Sequence, residues 1–254
     1  MNDFSPNLTN SSLSRADIFS RTELLLGKDA MERLERAHVA VFGIGGVGGH
    51  AAEALARCGV GALTLVDNDT VSVSNLNRQI LALTDTLGKY KTDVFKERLL
   101  SINPALSVFC HKTFVTQDNI DEFDFSSFDF VIDAVDTVSA KIALILAAKA
   151  ANVPIISSMG TGNKIDPTAL RVTDIYKTSV CPLARVMRHE MRKRKVDALP
   201  VLASEETPIT PKTSLSGGEN GTEYRKQPPG SIAFVPAVAG LLISSYVVKG
   251  LLDA

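Results

Sequence analysis

Short hydrophobic segments alternate with longer amphipathic or alanine-rich segments along most of the chain. Strands are predicted where the apolar run is continuous and β-branched, as in "HVAVFGI" and "FDFVIDAVD". Helices are predicted between them, as in "GGHAAEALARCGV" and "VSAKIALILAAKAAN". Continuous apolar strands that alternate with helices are typical of buried parallel sheets. The pattern therefore predicts an α/β fold, a Rossmann-like, doubly wound, mostly parallel sheet with helices on both faces.

Three segments depart from this alternation. Residues 1–18 are rich in Ser, Asn and Asp and are predicted to be disordered at the start. "RTELLLGKDAMERLERA" predicts one or two short helices, broken near Gly27. Residues 204–230 are rich in Gly, Pro, Ser and Thr and predict a long mobile loop in a C-terminal extension. Because the sequence shows no internal repeat, residues 1–254 are expected to form a single domain.

The C-terminal segment from Ile232 to Val248 is free of charged residues and approaches the length of a membrane span. Pro236, Gly240 and the weak charge flanks argue against a span. We predict instead an apolar helix buried in the core or in a subunit interface. The polar N-terminus has no apolar signal-peptide core, so a cytoplasmic location is expected.

Composition excludes little, but it limits the candidate partners and sites. The formal net charge is −1, so contacts with nucleic acid would require a local basic patch. The three cysteines, Cys58, Cys110 and Cys181, form no C-x-x-C pair. This spacing argues against a disulfide framework and against a structural zinc site, and we expect small buried side chains.

A glycine-rich turn follows the first predicted strand. Gly43, Gly45 and Gly48 match G-x-G-x-x-G, in which glycines allow a tight turn, close approach of phosphate and close helix packing. The following helix would present free N–H groups to phosphate, and Asp67 ends the next strand, where an acid can bind a ribose hydroxyl. These residues are compatible with NAD, FAD or ATP, and taken alone they favour an NAD-dependent oxidoreductase.

Polar residues beyond this turn change the interpretation. Asn75 and Arg78 lie one helical turn apart in "SNLNRQI", Lys91 lies near a helix start, and Asp136 follows a later strand. Because the carboxyl ends of strands in a doubly wound sheet share one crevice, we expect these four residues to converge. Arg and Lys neutralise phosphate charge, and a carboxylate can hold Mg²⁺. This chemistry suits displacement at a phosphate rather than hydride transfer.

The succession "GIGGVGG", "LVDNDTVSVSNLNRQI", "GKYK" and "DAVD" resembles the ubiquitin-activating-enzyme-like (ThiF/MoeB/HesA) superfamily of ATP-dependent adenylating enzymes. "FSRTELLLG", "KIDPTALRVTDIYKTSVCPLARVMR" and "LPVLASEETP" are similar to its tRNA threonylcarbamoyladenosine dehydratase subfamily, over nearly the whole chain. The resemblance implies adenylation of the threonyl carboxylate of N6-threonylcarbamoyladenosine beside the anticodon. Intramolecular ring closure and release of AMP would follow.

The resemblance also implies roles for individual residues. Asp67 would bind the ribose, Asp136 would bind Mg²⁺, and Arg21 would reach across a homodimer into the partner's ATP site. Asp69 is expected to be a turn or capping residue that could assist at the metal. The remaining nucleotide-binding residues would be Gly43, Gly45, Gly46, Gly48, Asn75, Arg78 and Lys91.

A basic stretch, "RVMRHEMRKRKV", is the candidate surface for tRNA, and a solvated helix face is the alternative. Phosphate contacts from this stretch would make binding salt-dependent. Its cationic residues are Arg185, Arg188, Arg192, Lys193, Arg194 and Lys195. The resemblance leaves open a bound monovalent cation, Na⁺ or K⁺, and a cysteine desulfurase with its sulfur acceptor, which accompany some family members.

Three other functions stay open at this point. An enzyme that adenylates the C-terminal glycine of a ubiquitin-like sulfur carrier often has two C-x-x-C zinc pairs, which this sequence lacks. An NAD-dependent oxidoreductase would leave Arg78, Lys91 and Asp136 without a role. A non-catalytic scaffold that binds adenine nucleotide or tRNA is the third.

Overall fold

The computed structural model describes residues 14–213 and 228–253. The helices are α1 (Arg15–Leu26), α2 (Lys28–Arg36), α3 (Gly48–Cys58), α4 (Lys91–Ile102), α5 (Val138–Ala150), α6 (Pro182–Lys193) and α7 (Phe234–Asp253). The strands are β1 (His38–Phe42), β2 (Ala62–Val66), β3 (Ser107–His111), β4 (Phe130–Asp133), β5 (Ile155–Ser158), β6 (Leu170–Asp174) and β7 (Pro200–Ser204).

The seven strands form one sheet in the order β3-β2-β1-β4-β5-β7-β6. Every pairing is parallel except that of β6 with β7, which is antiparallel. The chain builds outward from β1 to β3, then returns to place β4 on the other side of β1. This reversal confirms the predicted doubly wound, mostly parallel sheet and opens a crevice at the carboxyl ends of β1 and β4.

Helices cover both faces of the sheet, and the successive side chains of each apolar strand pack alternately into two cores. In β1, Val39 and Val41 face the core formed with α1 to α4 and α7. The intervening Ala40 and Phe42 face a second core, formed with α5 and α6. Successive side chains of a strand point to opposite faces, so a strand buried on both faces is apolar at every position.

The C-terminal helix α7 is long and apolar enough to cross a membrane, by length and composition alone. One of its faces is nevertheless in the core, where Val235, Ala239, Ile243 and Val247 are fully buried. The opposite face is open, and Leu241 is 51% exposed there. Burial in the core, as predicted, therefore holds for one face of this helix.

Two predicted boundaries are wrong. Disorder was predicted through residue 18, but helix α1 starts at Arg15 behind a capping box. In this box the Ser14 hydroxyl accepts a hydrogen bond from the Asp17 amide, and the Asp17 carboxylate accepts one from the Ser14 amide. The mobile loop was predicted from residue 204, but Ser204 ends strand β7. Residues 205–213 and 228–230 of the predicted loop form no helix or strand. The rest of these predictions falls on residues 1–13 and 214–227, which lie outside the described residues.

The cysteines are free thiols, and the expectation of burial holds fully for one of them. Cys181 is buried, whereas Cys58 and Cys110 are half-buried. Partial burial raises the pKa of both half-buried thiols. A raised pKa keeps a thiol protonated and poorly nucleophilic at neutral pH.

Candidate active site

A cavity of about 640 Å³ opens at the carboxyl ends of the central strands, where the sheet topology reverses. Ligands of open α/β sheets bind at such points. The structure brings nine of the predicted site residues into its lining. These are Gly43, Gly45, Gly46, Asp67, Asp69, Asn75, Arg78, Lys91 and Asp136.

The glycine turn forms the floor of the cavity between β1 and α3. Gly43 has φ +83°, and a Cβ there would lie 2.8 Å from the Ala134 carbonyl oxygen, so only glycine fits. Gly48, predicted to hold phosphate, does not line the cavity. A Cβ on Gly48 would collide with the Gly43 carbonyl, so this glycine allows α3 to pack closely on the turn.

Asp67 ties the end of β2 to the glycine turn. Its Oδ2 accepts a hydrogen bond from the Ile44 amide at 2.9 Å, and its Oδ1 accepts one from the Asp69 amide at 2.9 Å. Burial raises the pKa of the Asp67 carboxyl, and the nearby Lys91 ammonium opposes the shift. The side chain is thus held rigidly at the strand end, where an acid can accept hydrogen bonds from ribose hydroxyls.

Lys91 is the first residue of α4 and is only 4% exposed. Its Nζ lies 2.8 Å from Asp69 Oδ2 and 3.9 Å from Asp67 Oδ1. Asp69 also accepts the Lys91 amide hydrogen bond through its main-chain oxygen. Asp69 is therefore a turn residue, as expected, and it also orients the ammonium towards the cavity.

Asn75 ends a short 3-10 turn after β2, and Arg78 lies in the turn that follows it. The Asn75 side chain caps this turn by accepting a hydrogen bond from the Ser72 amide at 3.2 Å. The Arg78 amide donates to the Asn75 carbonyl oxygen at 3.0 Å, so the two residues are one turn apart, as predicted. Arg78 Nη1 donates to the Ser74 carbonyl and to Asn77 Oδ1, which fixes the guanidinium against its own loop.

Asp136 lies in the loop between β4 and α5, and its side chain is exposed to the cavity. In the described part of the chain, no group of three or more His, Cys, Asp or Glu side chains could hold a metal ion alone. One carboxylate beside a phosphate-binding turn is a common arrangement for Mg²⁺, which takes its other ligands from phosphates and water. The residues present therefore fit Mg²⁺ bound together with a nucleotide.

A buried polar cluster beneath the cavity escaped the sequence analysis. Lys141 Nζ lies 3.1 Å from both carboxylate oxygens of Asp133 and 2.7 Å from the Ser158 carbonyl oxygen. Ser157 donates to the same carboxylate at 2.5 Å. Asp133 and Lys141 are fully buried. The available signal was a lysine in the first turn of the apolar helix "VSAKIALILAAKA" and a single acid ending an apolar strand.

The basic helix α6 starts at the cavity. Leu183 lines the cavity, and a Cβ on Gly160 would lie 3.8 Å from Cys181 Sγ at the start of the helix. Three of its predicted tRNA-binding residues are engaged within the chain. Arg188 donates to Thr178, Arg194 pairs with Glu190, and Arg192 lies over the Tyr176 ring. The exposed cations of this stretch are Arg185, Arg192, Lys193 and Lys195.

Arg21 lies outside the cavity of its own chain. It is exposed on α1, next to Leu24 and Leu25, which are 88% and 82% exposed. An exposed arginine beside two exposed leucines is compatible with a contact to another molecule.

The chain is similar to proteins of known family along nearly its whole length. The ThiF family model matches residues 19–254. The tRNA threonylcarbamoyladenosine dehydratase of Bacillus subtilis is 44% identical over 239 residues, which cover 92% of this chain and 94% of that protein.

Two crystal structures of the E. coli tRNA N6-threonylcarbamoyladenosine dehydratase superpose closely on this chain. The AMP complex has a TM-score of 0.85 and 35% identity, with 98% of both chains covered. The ATP complex has a TM-score of 0.83 and 36% identity, with 94% of this chain and 96% of that chain covered. The chain therefore belongs to the ThiF family, and within it to the tRNA threonylcarbamoyladenosine dehydratases.

Proposed function

We propose that this protein catalyses the ATP-dependent cyclisation of N6-threonylcarbamoyladenosine beside the anticodon of tRNA. The observation that carries the proposal is the convergence of Asn75, Arg78, Lys91 and Asp136 on the glycine turn in one cavity. The choice of substrate is supported by the similarity of the chain to tRNA threonylcarbamoyladenosine dehydratases, one of which has been crystallised with ATP and with AMP.

The phosphates of ATP would lie over the glycine turn, at the start of α3, where free N–H groups and the helix dipole favour negative charge. Arg78 and Lys91 would donate hydrogen bonds to the triphosphate, and Asn75 would fix its position. These donors are already oriented by the chain, so little reorganisation is needed as charge moves between phosphates.

Mg²⁺ would be held by Asp136 together with phosphate oxygens, and it would neutralise charge on the leaving pyrophosphate.

The threonyl carboxylate oxygen attacks the α-phosphorus, the bond to the β-phosphate breaks, and pyrophosphate leaves. The carbamoyl group of the same nucleoside then attacks the acyl carbon and loses a proton, and AMP leaves. Because this second step is intramolecular, proximity provides much of its rate.

The tRNA would reach the cavity along α6. This helix starts beside Gly160 at the cavity wall and carries its exposed cations onto the surface. In a homodimer, Arg21 would complete the ATP site of the partner, and the exposed Leu24 and Leu25 would lie in the contact between subunits. We also propose a cytoplasmic location, a compartment that contains tRNA.

Incubation with Mg²⁺, ATP and tRNA that carries the threonylcarbamoyl group tests the proposal. We expect AMP release together with loss of one water from the modified nucleoside, measured by mass spectrometry. The same tRNA without the modification, and the Asp136→Asn variant, should release no AMP. Release of AMP only with a protein that ends in Gly-Gly would identify a sulfur-carrier enzyme. Binding of NADH without ATP turnover would contradict both functions.

A further inference from the structure

The buried cluster beneath the cavity connects three structural elements. Lys141 on α5 reaches Asp133 at the end of β4, and it reaches the Ser158 carbonyl and the Ser157 hydroxyl at the end of β5. Asp133 is also bonded by Ser157. One ammonium group therefore holds the ends of two adjacent strands and the helix that follows the first of them.

Both strand ends continue directly into the cavity wall. Asp133 Oδ1 accepts a hydrogen bond from the Val135 amide at 3.3 Å, and Val135 and Asp136 line the cavity. On the other strand, Ser158 also lines the cavity, as do Gly160 and the two residues that follow it. The cluster thus lies one residue away from two segments that would contact ligand.

Stability alone does not explain this pair. Both side chains are fully inaccessible, and transferring two charges from water to the interior costs about as much as their attraction returns. Replacing a buried ion pair by apolar residues of similar volume is often neutral or stabilising. A buried pair that joins three elements does fix their relative positions, because the ammonium and the carboxylate must keep their hydrogen bonds.

We propose that Asp133 and Lys141 are positioning residues that hold the 134–137 segment so that the Asp136 carboxylate meets the nucleotide-bound Mg²⁺. The metal part of this inference rests on the function proposed above for Asp136. Residues that orient a metal ligand through hydrogen bonds typically change metal affinity by about 10- to 100-fold when they are replaced.

The chain offers a matched control. Glu53 on α3 is also buried, and it pairs with Arg98 on α4 at 2.5 Å and with the more exposed Arg57 at 2.9 Å. Neither Glu53 nor Arg98 lines the cavity. Neutralising this pair removes one buried carboxylate and one cation, as neutralising the cluster does, but at a distance from Asp136.

The test compares the double variant Asp133→Asn/Lys141→Met with the control Glu53→Gln/Arg98→Met. Hydrogen exchange of residues 134–137 in the ligand-free protein should accelerate by about tenfold or more in the first variant only. Calorimetric titration should show an increase of about 10- to 100-fold in the Mg²⁺ concentration that half-saturates ATP binding. Affinity for ATP in EDTA should stay within about twofold of the original protein.

Unchanged exchange at 134–137 would overturn the proposal, as would equal acceleration in the control. If the affinity for ATP in EDTA falls by as large a factor as the half-saturating Mg²⁺ concentration rises, the pair supports the whole pocket and does not position Asp136.

A milder variant, Ser157→Ala, removes one hydrogen bond to the Asp133 carboxylate. If the double variant does not fold, this variant should give a smaller change in the same direction. None of these measurements uses tRNA. An inactive but normally responding protein would therefore contradict the proposed function and not this inference.

Discussion

Arg78 illustrates how local geometry prepares a side chain for phosphate. Its guanidinium donates to the Ser74 carbonyl and to Asn77 Oδ1, so part of the fork is used to fix the group. Among the described residues, no other partner occupies the remaining N–H donors of the fork, so they can bind a ligand in the cavity that Arg78 lines. A lysine has no planar fork and cannot make both sets of contacts at once.

We therefore expect both Arg78→Lys and Arg78→Ala to lower AMP formation by about 100-fold or more, the usual cost of losing an oriented donor to developing charge. Steady-state AMP release with saturating modified tRNA measures the effect. The control is Arg171→Ala, which replaces an exposed arginine on β6 and should retain full activity. Activity of Arg78→Lys within about twofold of the original protein would show that a point charge suffices.

The Asp67 carboxyl should make stability depend on pH in a defined direction. Burial raises its pKa above the ordinary value of 3.8, against the attraction of Lys91. The folded state then binds the proton more tightly than the unfolded state. The resulting stabilisation is complete below pH 3.8 and is lost as pH rises through the folded pKa.

Asp67→Asn removes this titration. The melting temperature of the variant, relative to the original protein, should therefore increase with pH above 3.8 and become constant once the carboxyl is ionised in the folded state. Thermal unfolding at several pH values measures the difference, with the exposed Asp85→Asn as a control for loss of a carboxylate. Parallel curves for the Asp67 variant and the original protein would contradict the expectation.

At the scale of elements, α7 packs closely against α3 at Gly240. A Cβ on Gly240 would collide with the Val47 carbonyl oxygen and lie 2.8 Å from the Ala51 nitrogen. The obstructing atoms are backbone, so they cannot rotate away. This contact holds the C-terminal helix against the helix that starts at the glycine turn.

Replacement of glycine by alanine in an open helix usually stabilises it by about 0.5–1 kcal/mol. For Gly240→Ala we expect the opposite sign, a destabilisation of about 1–3 kcal/mol, because the added methyl group forces the two helices apart. Denaturant unfolding measures it, and Ser245→Ala on the exposed face of α7 is the control. A stabilised Gly240 variant would show that α7 is not packed this closely.

The order of these elements could be predicted because their apolar patterns are local. The break at Gly27, the glycine turn, and helices α3 and α5 follow from residues within each segment. The loop predicted from residue 204 was wrong at its start, because Ser204 belongs by composition to the Gly-, Pro-, Ser- and Thr-rich segment that follows it. Strand β7 is instead paired on both sides, with β5 and β6, and such distant pairing leaves little local signal.

The site was predictable to the extent that its residues follow strand ends. Asp67 directly follows β2, and Asp136 lies in the short loop after β4. The known geometry of doubly wound sheets then places them in one crevice. Gly48 shows the limit, since the sequence does not distinguish a glycine that faces phosphate from one that allows close packing. Asp133 and Lys141 are separated along the chain by a loop and the first turn of α5, and only the fold shows that they meet in the interior.

At the scale of the whole molecule, charge is distributed unevenly. The formal net charge is −1, yet α6 and the residues that follow it concentrate exposed cations on one surface. This surface starts at the cavity wall beside Gly160. A nearly neutral protein can bind RNA through such a patch, because only charges within about a Debye length contribute strongly.

Neutralising Arg185, Lys193 and Lys195 together, each to Gln, should weaken tRNA binding and make it less dependent on salt. Each lost phosphate contact should reduce the slope of log affinity against log salt by about 0.7–0.9. Affinity for ATP should not change, because none of the three residues lines the cavity. Filter binding of modified tRNA over a range of salt concentrations measures the slope.

The outcome separates a local patch from a general effect of charge if a control with the same change in net charge is included. The control replaces three exposed cations by Gln and so removes the same amount of charge. These cations are Lys28 and Arg36 on α2 and Lys96 on α4. If α6 contacts the phosphates, the control keeps the original slope while the α6 variant loses part of it. Equal losses in both would mean that tRNA responds to net charge, and that the route to the cavity does not run along α6.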